Sequence, residues 1–227
     1  MSNDILLERR LDPAVVELRL NRPQKKNALS IALRDQISDT LDRLADDESV
    51  SVVVFAAEGD TFCSGFDLGE FALAAENPDF AAQLWASSDR YHHRVLSFPV
   101  ATVAAINGAA LAGGFDLATM CDIRIAARSA RFARPEGSFG PLMYGPLHDL
   151  VGSAIARDLS LTRRSVDAVE ALSLHLVSRV VDDADLHGEA VAVALAVAET
   201  PRDLLLRHKA TMLEATGTDA EADTLEI

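Results

Sequence analysis

Cysteine is scarce in this chain of 227 residues. Only Cys63 and Cys121 occur, with no metal-ligand spacing between them, so neither a disulfide framework nor a thiolate metal centre is encoded. No H-E-x-x-H pattern is present, which argues against a helix-borne zinc site; no metal is expected. No G-x-G-x-x-G opens a helix after a strand, which argues against a nicotinamide enzyme. Positive charge is also in short supply. Lys and Arg number 21 against 35 Asp and Glu, a formal net charge of −14, so nucleic acid is not an expected partner. No apolar run approaches the ~20 residues of a membrane span, and no membrane partner is expected. The first ten residues, MSNDILLERR, lack the apolar core that follows a basic start in a secretory signal. Two free cysteines and no leader fit a reducing compartment, and the cytoplasm is the expected location.

What remains is an ordinary globular composition, 49% hydrophobic and 25% charged, with length for one substantial domain and a small appendage. Residues 14–20 (AVVELRL) alternate apolar and polar, a half-buried strand. Ser30 predicts a helix cap for a helix reaching about residue 45, with Leu33, Ile37, Leu41 and Leu44 on one face. Residues 51–56 and 100–106 predict buried strands. Between them, residues 71–98 are helical with a break at Asn77-Pro78. Residues 123–127 and 131–133 predict further strands, and residues 137–146, rich in Gly and Pro, a loop. A strand over 176–181 precedes helices over 184–199 and, after Pro201, to about residue 215. The acidic end, TGTDAEADTLEI, is expected to be loose. Alternating strands and helices predict an α/β fold.

The most informative span is residues 105–126, AINGAALAGGFDLATMCDIRIA. It joins an apolar strand, a glycine pair and a helix start that carries one carboxylate, Asp116. The first N–H groups of a helix have no intrahelical partner and carry partial positive charge. Glycine lets a ligand approach that backbone closely. Such a turn is suited to a developing oxyanion, so the chain reads as an enzyme that polarises a carbonyl.

Five segments together resemble the crotonase family, the enoyl-CoA hydratase/isomerase group. They are NRPQKKNAL (21–29), FCSGFDL (62–68), INGAALAGGFDLATMCDIRIA (106–126), ARFARPE (130–136) and LVSRVV (176–181). They occur in the family's order and span roughly residues 14–182. The resemblance implies a spiral of ββα units over residues 1–182. It also implies a C-terminal helical trimerisation appendage over 183–227, giving a homotrimer or a dimer of trimers. It further implies an acyl-CoA thioester as substrate, with no separate cofactor. An oxyanion hole would be built from the backbone N–H groups of Phe66 and Gly113, where losing one donor typically costs ~3–4 kcal/mol of transition-state stabilisation.

The same resemblance assigns catalytic carboxylates to Asp116 and Glu136. Glu136 sits in the RPE expected of the family, and apolar surroundings should raise its pKa. Asp116 stands where the hydratases carry Glu, one methylene further back, and a displacement of about 1 Å can cost on the order of 100-fold in rate. Hydration of a 2-trans-enoyl-CoA by both carboxylates is the leading reading, and isomerisation by Glu136 alone stays open beside it. A non-catalytic acyl-CoA binder is the reading from another class, since the chain also stops sooner after Lys209 than relatives do. Asp67 and Asp122 match family positions and read as structural. Arg22, Lys25 and Lys26 in the loop after the first strand, with the backbone at Ser64, are implied contacts for the nucleotide part of coenzyme A. Met143, Tyr144 and Leu147 are candidate liners of the acyl tail. His92 and His93 fit no motif and read as core or solvated. EGSFG around Ser138 falls one glycine short of a nucleophile elbow.

Overall fold

The computed structural model describes residues 4–138, 142–216, 219 and 222–224. An antiparallel hairpin of β1 (Leu6–Asp12) and β2 (Val15–Leu20) leads into the capped helix α1 (Ile31–Asp46). Ser30 caps it as its sequence predicts, accepting from the Leu33 N–H at 3.3 Å. Three ββα turns follow. The first is β3 (Val52–Ala57), β4 (Thr61–Cys63) and the helices α2 (Leu68–Glu76) and α3 (Pro78–Leu96). The second is β5 (Ala101–Ile106), β6 (Ala109–Leu111) and α4 (Gly113–Met120). The third is β7 (Ile123–Ala127), β8 (Arg131–Ala133) and α5 (Gly145–Thr162). The chain continues through β9 (Val166–Asp167), α6 (Ala168–Ser173), β10 (Arg179–Val181), α7 (Leu186–Ala198) and α8 (Arg202–Ala215).

Each turn gives its first strand to a six-stranded sheet, β1-β2-β3-β5-β7-β10, and its second to a four-stranded sheet, β4-β6-β8-β9. This is the α/β spiral that the resemblance implies. The strands of the large sheet read as near-continuous apolar runs because both faces are covered. Val53, Phe55 and Ala57 point into the main core, while Val52, Val54 and Ala56 point the other way. That second face is roofed by Leu186, Ala190, Val193 and Ala194 of α7. Part of the segment beyond residue 182 is thus structural cover for the sheet.

Three sequence expectations change. The polar positions of β2 are not solvated: Glu17 is 1% exposed. It accepts two bonds from Arg19, at 3.0 and 2.9 Å, and lies 2.8 Å from His187 Nε2 of α7. An ion-paired carboxylate can be covered, so alternation here marks pairing and not solvent. The helical stretch begins at Leu68, earlier than residue 71, because Asp67 caps α2 through the Gly69 N–H at 3.1 Å. The chain end is anchored where it is described: the Thr224 N–H and hydroxyl both donate to Asp89, at 2.9 and 2.6 Å, and His93 Nε2 donates to the Ala222 carbonyl at 2.7 Å. Composition registers the acidity of that end but not these contacts with α3. The remainder of the expected loose end (217, 218, 220, 221 and 225–227), and residues 139–141 of the expected loop over 137–146, lie outside the described residues.

Asp122 is structural, as expected. Its carboxylate accepts from the Thr102 N–H and hydroxyl at 2.8 and 2.9 Å and pairs with Lys209, which is 5% exposed. This pair ties α8 to the end of α4. Removing one partner strands a largely desolvated charge, while the solvent still reaching Asp122 tempers the penalty. Lys209→Met is expected to lower the unfolding free energy by about 2 kcal/mol. A urea midpoint equal to wild type would discard this tether.

Candidate active site

In open α/β sheets, ligands collect beyond the carboxyl ends of parallel strands. Here β4 pairs parallel with β6, and β6 pairs parallel with β8. The three segments leaving these strands therefore emerge on one side. They are 64–67, 112–116 and 134–136, the segments that the sequence singles out.

The first two are pressed together. Gly65 has φ +92, and a Cβ there would lie 2.7 Å from the Ala112 Cβ and 3.0 Å from the Gly113 nitrogen. Only glycine meets both demands. Ala112 itself sits at φ 50, ψ −125, a strained conformation for a residue with a side chain. Gly114 is equally constrained, since a Cβ there would come within 2.2 Å of the Cys63 carbonyl oxygen. On its other side, the 64–67 segment forms a parallel bridge with Leu29: the Leu29 N–H donates to the Gly65 carbonyl at 2.8 Å, and the Asp67 N–H to Leu29 at 3.4 Å. That pairing turns the Phe66 N–H away from Leu29. Among the described residues, neither the Phe66 nor the Gly113 N–H has a backbone acceptor. The Phe66 ring lies over Gly113, stacks on Phe71 at 5.8 Å and carries the Arg34 guanidinium 4.3 Å above it. Arg34 is buried and also donates to the Leu29 carbonyl at 2.7 Å, so it holds both sides of the bridge.

Asp116 lies in the first turn of α4, where every residue is buried. Its Oδ1 accepts from Arg134 Nη2 at 3.0 Å. Burial pushes its pKa up to about 7 against the pull of the Arg134 charge, and the nearby Glu136 adds to the rise. Glu136 follows β8 in a short 3-10 turn, Pro135–Ser138. Its Oε1 faces Arg134 Nε at 3.5 Å, too far for a good hydrogen bond. Both of its carboxylate oxygens are buried without a hydrogen-bond partner. Desolvation pushes its pKa upward, as its apolar surroundings predict. A buried carboxylate with no donor is costly, and such cost concentrates at functional sites.

Phe66, Gly113, Asp116 and Glu136 are thus brought to one side of the four-stranded sheet. The basic loop sits next to them, with the Ser64 N–H donating to the Lys26 carbonyl at 3.0 Å. Its cations are used differently from one another. Arg22 turns inward onto the Ala28 carbonyl and Asp67, the latter at 3.1 Å, with its side chain 14% exposed. Lys25 is exposed, and Lys26 is exposed beside Asp60 at 2.8 Å. Among the acyl-tail candidates, Met143 and Leu147 are buried and Tyr144 is half-buried. The Ser138 hydroxyl donates to the Pro135 carbonyl at 2.8 Å. His92 is a core residue, its pKa lowered to about 4 by burial. Arg134 was not singled out by sequence reasoning. The available signal was a cation two residues from a candidate carboxylate in ARPE.

The family model for enoyl-CoA hydratase/isomerase matches residues 10–227. A Mycobacterium bovis protein named probable enoyl-CoA hydratase echA8 is 37% identical over 199 residues, 86% of this chain and 75% of that protein. The human enoyl-CoA hydratase domain-containing protein 3, mitochondrial, is 31% identical over 206 residues, 89% of this chain and 67% of that protein. Among solved structures, an enoyl-CoA hydratase from Mycobacterium smegmatis superposes with a TM-score of 0.86 at 35% identity, covering 97% of this chain and 88% of that one. One from Bacillus anthracis gives 0.87 at 29% identity, covering 92% and 82%. Among the described residues, no helix is long and apolar enough to cross a membrane. In motif order, strand topology and relatives alike, this chain belongs to the crotonase, or enoyl-CoA hydratase/isomerase, family.

Proposed function

We propose that this chain adds water across the double bond of a 2-trans-enoyl-CoA thioester. The observation that carries the reading is Glu136, whose two desolvated oxygens accept no hydrogen bond and share the Arg134 guanidinium with a second carboxylate, Asp116. The thioester oxygen would lie against the Phe66 and Gly113 N–H groups, which gain value as negative charge builds on it. Asp116 would hold the water. Glu136 would take one water proton as oxygen bonds to C3 and electrons move from the double bond onto the thioester oxygen. The same carboxyl would then return that proton to C2, so that the sum is one water added. Lys25 and Lys26 are the outward cations for the nucleotide phosphates.

A second reading has its own support. Arg134 occupies one oxygen of Asp116, and Glu136, which accepts no hydrogen bond, suits proton transfer between C2 and C4 by a single carboxylate, the isomerase mode. Crotonyl-CoA distinguishes the two. Loss of the conjugated absorbance together with a 3-hydroxyacyl-CoA product is the expected result. Conversion of a 3-enoyl-CoA without any hydroxyacyl product would replace hydration by isomerisation. Tight acyl-CoA binding with neither reaction would leave a binding protein.

A further inference from the structure

Arg134 is 1% exposed and its guanidinium divides its contacts unevenly. Nη2 donates to Asp116 Oδ1 at 3.0 Å and also to the Met143 carbonyl. Nη1 lies 3.4 Å from the Ser160 hydroxyl of α5. Nε alone faces Glu136, at 3.5 Å, and makes no hydrogen bond. One cation therefore pins Asp116 and the segment before α5 by hydrogen bonds, and reaches Glu136 only as a longer charge contact.

We infer that Arg134 is a positioning residue that splits the carboxylate pair, fixing Asp116 as the water holder and leaving Glu136 as the proton carrier. This rests on the hydration reading above. A planar fork suits the task because it fixes direction as well as charge. The other titratable groups that sense Asp116 are Tyr91 of α3 and Cys63 of β4. Burial pushes both upward, Cys63 to about 12, so both stay neutral. Burial sets the upward direction of the Asp116 titration, Glu136 adds to it, and Arg134 is the cation that opposes both.

The test follows the carboxyl groups by 13C NMR in substrate-free protein, with D116N and E136Q for assignment. It also records kcat/KM on crotonyl-CoA against pH for wild type, R134M and R134K. Loss of an adjacent cation raises a carboxyl pKa by about one unit or more. R134M is expected to move the Asp116 titration and the acid limb of kcat/KM upward together by that amount. R134K is expected to restore both midpoints while kcat stays low, because lysine keeps the charge and loses the fork. R134Q serves as the neutral variant should R134M fail to fold. An Asp116 titration unmoved in the neutral variant overturns the proposal, as does lost activity with an unmoved pH profile. If wild type does not turn over crotonyl-CoA, the hydration reading fails alone, and the NMR titration still decides the role of Arg134.

Discussion

Glu136→Gln is expected to lower kcat on a 2-enoyl-CoA by about 1000-fold, the middle of the range for a positioned acid-base group. The amide keeps the shape of the side chain and removes the proton transfer. KM should change little, because the proposed thioester donors, the Phe66 and Gly113 amides, lie on other segments. The fold should gain from the change at alkaline pH. Glu136 titrates above its ordinary value because its oxygens are desolvated. Its proton is lost more easily in the unfolded chain than in the folded one, so wild-type stability falls as pH rises past the ordinary value of 4.5. The fall stops once pH exceeds the raised value in the folded state. Gln has no such dependence. The variant should therefore match wild type under acid conditions and be more stable above neutrality, as urea titrations at paired pH values would read. A kcat within tenfold of wild type would remove Glu136 from the chemistry.

Gly65→Ala is the second large effect. The residue sits at φ +92, and the added methyl would meet Ala112 at 2.7 Å and the Gly113 nitrogen at 3.0 Å. Relief requires the segments after β4 and β6 to separate, which moves the Phe66 and Gly113 amides relative to each other. Strain of this kind costs about 1–3 kcal/mol. A shift near 1 Å between paired donors should cut kcat/KM by about 100-fold or more. Circular dichroism and a melting curve would separate this loss from unfolding. Full activity in a variant with a lowered Tm would show that the spacing of these two amides has no bearing on turnover, and the oxyanion reading would fall with it.

How much of this was legible depends on the range of the interactions. Ser30 and the 123–127 and 131–133 strands were readable because caps and apolar runs are local signals. The segments of the site were readable because glycines and carboxylates stand at fixed offsets within each motif. Residues 109–111 carry no strand signal of their own, since three residues show no periodicity; pairing with β4 and β8 makes them a strand. Glu17 looked solvated because its cover, His187, lies 170 residues away. Arg22 looked available for phosphate because Asp67, its partner, lies 45 residues on. Arg134 was hidden for the same reason: its role exists only once α4 and the segment before α5 converge on it.

The helix next to Phe66 has a further consequence. No residue of α2 is buried, and two carboxylates do much of its fastening: Asp67 at its start and Glu70, which accepts from the Ile31 N–H at 2.8 Å. A segment with so little apolar burial opens at a small fraction of the global unfolding free energy. Fraying of this one short stretch would then leave the described strands of both sheets in register. The scaffold divides its labour accordingly, with precision in the spiral and looser fastening along α2.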